Sequence, residues 1–220
     1  MKRLVLAVLV LASAVAFSVP ANGSPTRQSR SWNVTITNLT PPGSQPLSPP
    51  LVVVHTRRAD IWSLGEIADH GVAAIAEDAD NSVLESALPM VRGVRSVRTI
   101  PGGPILPGAS RTFTVELSDR ADRLSVLTML VNTNDAFTGL DALHLRGHGI
   151  TLHTRAYDAG SEVNNERATH IPGPCCNSHF VRAPEGAVIR MHGGITGVGD
   201  LNPAVYGWSD PVARIRVARG

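Results

Sequence analysis

Lysine is almost missing from this chain: Lys2 is the only one, so every later basic side chain is an arginine or a histidine. That excludes Schiff-base and lysine-nucleophile chemistry from the body of the protein. Cysteine is nearly as scarce. Cys175 and Cys176 are adjacent, in I-P-G-P-C-C-N, and cannot staple distant parts of a fold to each other. Three states are open to them: two free thiols, a vicinal disulfide favoured by export into an oxidising compartment, or a bond to a second chain. Cys175 has no convincing base nearby in sequence, so it is not read as a nucleophile. There is no G-x-S-x-G elbow, P-loop or G-x-G-x-x-G. No residue is assigned a catalytic role.

The first residues follow the export pattern. Lys2 and Arg3 form a positive end, Leu4 to Val19 is an uncharged apolar run, and small residues offer cleavage after Ala21 or Gly23. The run is short for a span of ~20 apolar residues and breaks at Pro20, which favours a removed signal peptide, residues 1–23, over a retained anchor. No cysteine follows it to carry a lipid. No later segment reads as a membrane span, so the mature chain is expected to be secreted or periplasmic. The chain has 20 basic and 18 acidic residues, and the leader holds two of the bases and no acid. The mature protein is therefore formally neutral, and net charge gives no support for a nucleic-acid or anionic-membrane partner.

Residues 24–30 are a loose polar segment, and residues 31–220 read as one domain. W-N-V-T-I-T-N-L alternates, with Trp32, Val34 and Ile36 on one face and Asn33, Thr35 and Thr37 on the other, as in a half-buried strand. P-P-G-S-Q-P-L-S-P-P predicts an irregular loop, because proline removes ladder donors. L-V-V-V-H-T is a strand buried on both faces. Between Asp60 and Leu88 the apolar spacing becomes helical, through Ile61, Leu64, Ile67, Val72 and Ile75. Two short helices are expected there, the second opened by a Ser82–Glu85 capping box and stopped by Pro89. Strand signals return in V-R-S-V-R-T-I, R-T-F-T-V-E-L, L-S-V-L-T-M-L-V, G-I-T-L-H-T-R-A, A-V-I-R-M-H and V-A-R-I-R-V-A. The last places Arg214 and Arg216 on a solvent face. About eight strands without a β-α-β rhythm predict an antiparallel β-sandwich with a small helical insertion.

Two stretches carry chemistry: N-D-A-F-T-G-L-D (134–141) and A-Y-D-A-G-S-E-V-N-N-E (156–166). Each clusters carboxylates and amides around a glycine at the end of a strand signal. Such oxygen-rich loops suit a hard cation with ~6–8 oxygen ligands, and calcium fits best. The absence of histidine or thiol from both stretches argues against zinc or copper. Gly139 and Gly160 are read as turn positions that aim carbonyls inward. The competing reading is that Asp and Asn here merely cap turn donors. Weaker candidates are a zinc site at His144, His148 and His153, an acidic site at Glu77, Asp78 and Asp80 that fits a solvated helix end better, and phosphate binding by the glycine-rich Met191–Asp200 segment.

With these elements placed, the chain resembles the spondin amino-terminal domain family. The resemblance is carried by W-N-V-T-I-T-N-L-T, S-P-P-L-V-V-V-H-T, G-V-A-A-I-A-E-D-A-D-N-S-V-L, T-M-L-V-N-T-N-D-A-F-T-G-L-D, Y-D-A-G-S-E-V-N-N-E and W-S-D-P-V-A-R-I-R-V. It implies a C2-like sandwich holding Ca2+ among its loops, in a secreted, non-enzymatic module for matrix or cell-surface contact. Its metal-binding acids correspond to Asp135, Asp158 and Glu162. Glu162 stands where the family has an aspartate, and Tyr157 where it has a tryptophan. Asn134, Asp141, Asn165 and Glu166 are supporting candidates around the ion. The implied partner is an extracellular protein or glycan. A secreted metal-dependent hydrolase and an envelope structural protein without metal are the alternatives.

Overall fold

A computed structural model describes residues 29–178 and 181–220; the expected signal peptide lies outside them. The strands are β1 (Ser29–Asn38), β2 (Leu51–His55), β3 (Val94–Thr99), β4 (Ser110–Ser118), β5 (Arg123–Met129), β6 (Ala136–His144), β7 (Ile150–Thr154), β8 (Tyr157–Asp158), β9 (Arg190–Met191) and β10 (Ala213–Arg219). Helices α1 (His70–Asp78) and α2 (Ser82–Ala87) lie between β2 and β3. The strands form two antiparallel sheets, ordered β4-β1-β10-β7 and β3-β2-β5-β6-β8-β9. No helix among the described residues is long and apolar enough to cross a membrane.

The alternation in β1 does what its sequence predicts. Trp32, Val34 and Ile36 are buried and meet Val52, Val54, Leu124 and Val126 of the second sheet in one inter-sheet core. Arg214 and Arg216 point to solvent on β10, while Ile215 and Val217 between them are buried. The unbroken apolar run of β2 is explained by a third layer. Leu51 and Val53 face away from the inter-sheet core and pack with Leu127, Phe137, Val72 and Ile75 under α1.

Four local expectations change. The helical period from Asp60 onward yields a helix only from His70. Before it, Gly65 sits at φ +87°, and Asp69 caps the first turn by accepting the Val72 amide at 2.8 Å. The Ser82–Glu85 capping box does not form. Asp80 takes both the Ser82 amide and its hydroxyl, and Glu85 accepts the Thr99 amide instead. The proline-rich segment keeps the irregular form expected of it, with its middle buried: Ser44, Gln45, Leu47 and Ser48 lie inside, and Leu47 bridges to Ile105 and Leu130. A-V-I-R-M-H gives only the two-residue β9, while the first acid stretch is mostly strand. Asp135 ends a turn, Ala136 begins β6, and Gly139 lies inside the ladder opposite Leu127. Gly139 is there because a Cβ would sit 1.7 Å from the Val126 carbonyl oxygen, not because the chain turns.

Candidate metal centre

The turn from β5 to β6 is tied down before it reaches its acid. The Thr133 hydroxyl donates to the Leu130 carbonyl at 2.6 Å and accepts the Ala136 amide at 3.0 Å. Asn132 donates its side-chain amide to the Ser44 carbonyl and its backbone amide to the Gln45 side chain. The buried proline-rich segment therefore serves as a brace for this turn. Asp135 follows, fully buried. Its Oδ2 accepts the Ser161 amide at 2.9 Å, the Ser161 hydroxyl at 3.2 Å and the Glu162 amide at 2.9 Å. Its Oδ1 has no hydrogen-bond partner.

Pairing of β8 with β6 sets Asp158 opposite Ala136, one residue from Asp135. Below it, Tyr157 packs on Trp62 at 4.9 Å and Phe137 at 5.6 Å between ring centroids, so an aromatic does support the loop. Asp158 is buried, and both of its oxygens are engaged. Oδ1 accepts the Gly160 amide at 2.6 Å, and Oδ2 accepts from Asn164 at 2.7 Å and Arg190 at 2.8 Å. Gly160 turns the loop at φ +69°, where a Cβ would lie 2.5 Å from the Ala187 carbonyl oxygen; here the reading of a turn glycine holds.

Glu162 is 1% exposed. Its Oε1 accepts from Arg182 at 3.2 Å, and its Oε2 has no partner. Arg182 also pairs with Asp78 and lies 3.7 Å from Glu77, so the carboxylates that close α1 face the acid loop rather than solvent alone. Burial pushes the Asp135 carboxyl up to about 7, with the Asp158 charge adding to the rise. Burial likewise raises Glu162 to about 7 against the pull of Arg182.

Asp135, Asp158 and Glu162 thus converge on one pair of joined loops, but not as three equal ligands. Among the described residues, no group of three or more His, Cys, Asp and Glu side chains stands in a ready metal-binding arrangement. What the loops offer is one unpartnered buried oxygen on each of Asp135 and Glu162. Both are hard donors, and calcium takes its remaining ligands from carbonyls and water, so these two residues fit that ion. Asp158 could join them through the remaining lone pair of Oδ1, since Oδ2 already holds Asn164 and Arg190.

The supporting residues divide. Asn134 accepts the Glu166 amide at 3.2 Å and donates to Asn165 at 3.4 Å, so it frames the acid loop. Asn165 reaches His170 at 2.8 Å. Asp141 is not brought to the group: it is exposed, further along β6, and accepts from Ser63 beside Asp60. Glu166 has no oxygen to spare. Its carboxylate accepts the Thr196 amide at 2.6 Å, the Thr196 hydroxyl at 2.8 Å, and the Gly197 and Val198 amides at 2.6 and 3.1 Å. Burial alone would raise this carboxyl, but those donors outweigh it and hold it below its ordinary value. The glycine-rich segment that could have cradled a phosphate cradles Glu166 instead. Glu166→Ala should accordingly cost about 1–3 kcal/mol and speed hydrogen exchange at Thr196 to Val198. Unchanged exchange there would contradict the anchoring role.

Arg182 and Arg190 are not visible as site residues in the sequence. They follow Glu162 by 20 and 28 residues, in segments with no acidic motif of their own. Cys175 and Cys176 are joined as a vicinal disulfide, and the Cys175 amide donates to Asn132 at 3.0 Å, so the pair backs the same turn.

A sequence model of a known family, described as Spondin_N, matches residues 33–164, more than half of the chain. The match takes in β1 through the acid loop and includes all three of the acids discussed above. No curated protein matches the chain.

Proposed function

The chain belongs to the spondin amino-terminal domain family, a non-enzymatic extracellular family of matrix and cell-surface modules, and from that premise we propose that it is an exported module whose acid loops bind calcium. The observation that carries the reading is the pair of buried, unpartnered oxygens, Asp135 Oδ1 and Glu162 Oε2. A buried carboxylate oxygen without a donor costs free energy, and each group also feels a neighbouring carboxylate, Asp158 beside Asp135 and Glu77 beside Glu162. Bound calcium would supply the positive charge that Asp135 lacks and add to what Arg182 brings to Glu162. Asp135 meanwhile holds the Ser161 and Glu162 amides, and Asp158 holds Gly160, Asn164 and Arg190. Their joint effect is to fix the 158–166 loop, through which the module would present a surface to an extracellular protein or glycan.

The deep burial of both acids favours this role over a metal-dependent hydrolase, which needs a metal position open to substrate beside a general base. A metal-free structural role has its own support, because Arg182 and Arg190 already bring positive charge to Glu162 and Asp158. Thermal unfolding separates the two. Calcium at 100 times its dissociation constant should raise the midpoint by about 5–10 °C over chelator-treated protein. Asp135→Asn should abolish the rise while leaving the domain folded. No rise in the wild-type protein would leave the metal-free role standing.

A further inference from the structure

At the opposite end of the second sheet from the acid loops lies a groove of ≈ 910 Å³. Strand β5 connects the two regions, running from Arg123 in the groove wall to Met129 beside the acid turn, roughly 20 Å away. The walls come from four places in the chain: the turn after β2, the entry to β3, the β4–β5 turn and the end of β6. Seven arginines line the groove against two aspartates. In a chain that is formally neutral over residues 24–220 and has no lysine beyond position 2, that is a strong local concentration of one sign.

Five of the seven arginines are also uncommitted. Arg57, Arg58, Arg92, Arg95 and Arg120 are exposed, and none is in an ion pair among the described residues. The two aspartates are already occupied: Asp119 pairs with Arg30 at 2.9 Å, and Asp122 lies 2.6 Å from His144. Arg123 adds a buried Nε with no hydrogen-bond partner. Five free guanidinium forks in one concavity match the geometry of carboxylate, sulfate and phosphate groups, each able to accept two parallel hydrogen bonds.

We infer that this groove binds a linear polyanionic polysaccharide, its sulfate or carboxylate groups paired with Arg57, Arg58, Arg92, Arg95 and Arg120. The volume is that of a site for an extended small ligand and not for a single ion. No Trp, Tyr or Phe lines it, so it offers no platform for stacking the bases of single-stranded nucleic acid. The extracellular setting of the family selects a glycan among anionic polymers, and the inference rests on that setting and not on the calcium site.

The test uses the mature chain and a heparin oligosaccharide as the probe, with affinities measured by calorimetry at about 150 mM salt. Arg57→Ala/Arg58→Ala/Arg120→Ala should weaken binding by about 30-fold or more, since three charged contacts are lost. The control, Arg214→Ala/Arg216→Ala, removes exposed charge from the far sheet and should change affinity by less than about threefold. Arg120→Ala alone, in an exposed turn, gives a milder variant should the triple one not fold; it too should weaken binding more than the control. Chelator should leave the affinity unchanged, which keeps this result separate from that of the metal centre. Equal weakening by groove and control variants, or no binding at all, would overturn the inference. So would tighter binding to a single-stranded DNA oligonucleotide or to phosphatidylglycerol vesicles than to the oligosaccharide.

Discussion

Gly139→Ala should cost about 4 kcal/mol or more and leave little folded protein at room temperature. The reason is local and rigid. A Cβ at this position would lie 1.7 Å from the Val126 carbonyl oxygen and 2.7 Å from its carbon, both backbone atoms in the neighbouring central strand. No side-chain rotation relieves such a contact, so β6 would have to part from β5. That separation would open the ladder from Val126–Leu140 to Met129–Phe137 and strip cover from Phe137, which is fully buried in the layer beneath α1. It would also displace Ala136 and with it the start of the acid turn. Gly193→Ala is the matched control. Nothing lies within 4 Å of its Cβ position, and its backbone is not in the left-handed region, so the cost should stay within about 0.5 kcal/mol. Urea unfolding of the two variants measures both, and a stable Gly139→Ala protein would refute the strand assignment of this glycine.

The second large effect is a dependence of metal-free stability on pH, of unusual sign. The Asp135 carboxyl is raised from 3.8 to about 7, and that of Glu162 from 4.5 to about 7, both mainly by burial. Between about pH 4 and 7 the folded protein therefore binds more protons than the unfolded chain, and unfolding becomes easier as pH rises. In chelator, stability should fall across that window and level off above it. Each tenfold gain in a carboxyl's proton affinity on folding is worth about 1.36 kcal/mol, so each group alone would account for roughly 3–4 kcal/mol, Asp135 the more. The pair, acting beside Asp158, should give less than twice that. Glu166 works in the opposite direction, but its carboxyl lies below the ordinary value, so its stabilisation is lost only under more acid conditions. Asp135→Asn/Glu162→Gln should flatten the profile between pH 5 and 7, within the window of about 4 to 7 set by these carboxyls. A wild-type profile that rises through the window would mean these carboxyls are ionised in the metal-free fold.

Much of the framework is legible from residue order, because it depends on local pattern. The period of two in β1, the apolar run of β2 and the alternating arginines of β10 each record which faces meet a core. What fails to show depends on partners distant in sequence. The Ser82–Glu85 spacing is right for a capping box, yet Asp80 competes for the serine and the Thr99 amide takes the glutamate. Gly139, in the oxygen-rich N-D-A-F-T-G-L-D stretch, carries the local signature of a turn, and only the Val126 carbonyl explains it. At the candidate site, the two acid motifs do come together and bring Asp135, Asp158 and Glu162 with them. Their inequality is not legible, since it comes from Arg190 on β9 and Arg182 beyond the cysteine pair. Glu166 has the sequence neighbours of a supporting acid, although its four donors come from a segment some 30 residues further along the chain.

Proton release on calcium binding tests the central claim most directly. Two carboxyls that titrate near 7 must lose their protons before their free oxygens can share an ion. Calorimetric titration of chelator-stripped protein near pH 6.5, in two buffers of different ionisation enthalpy, should show one site and release of between about one and two protons per calcium. Asp135→Asn/Glu162→Gln should give no binding heat. Calcium binding without proton release, or no calcium binding by the wild-type protein, would contradict a site built on Asp135 and Glu162.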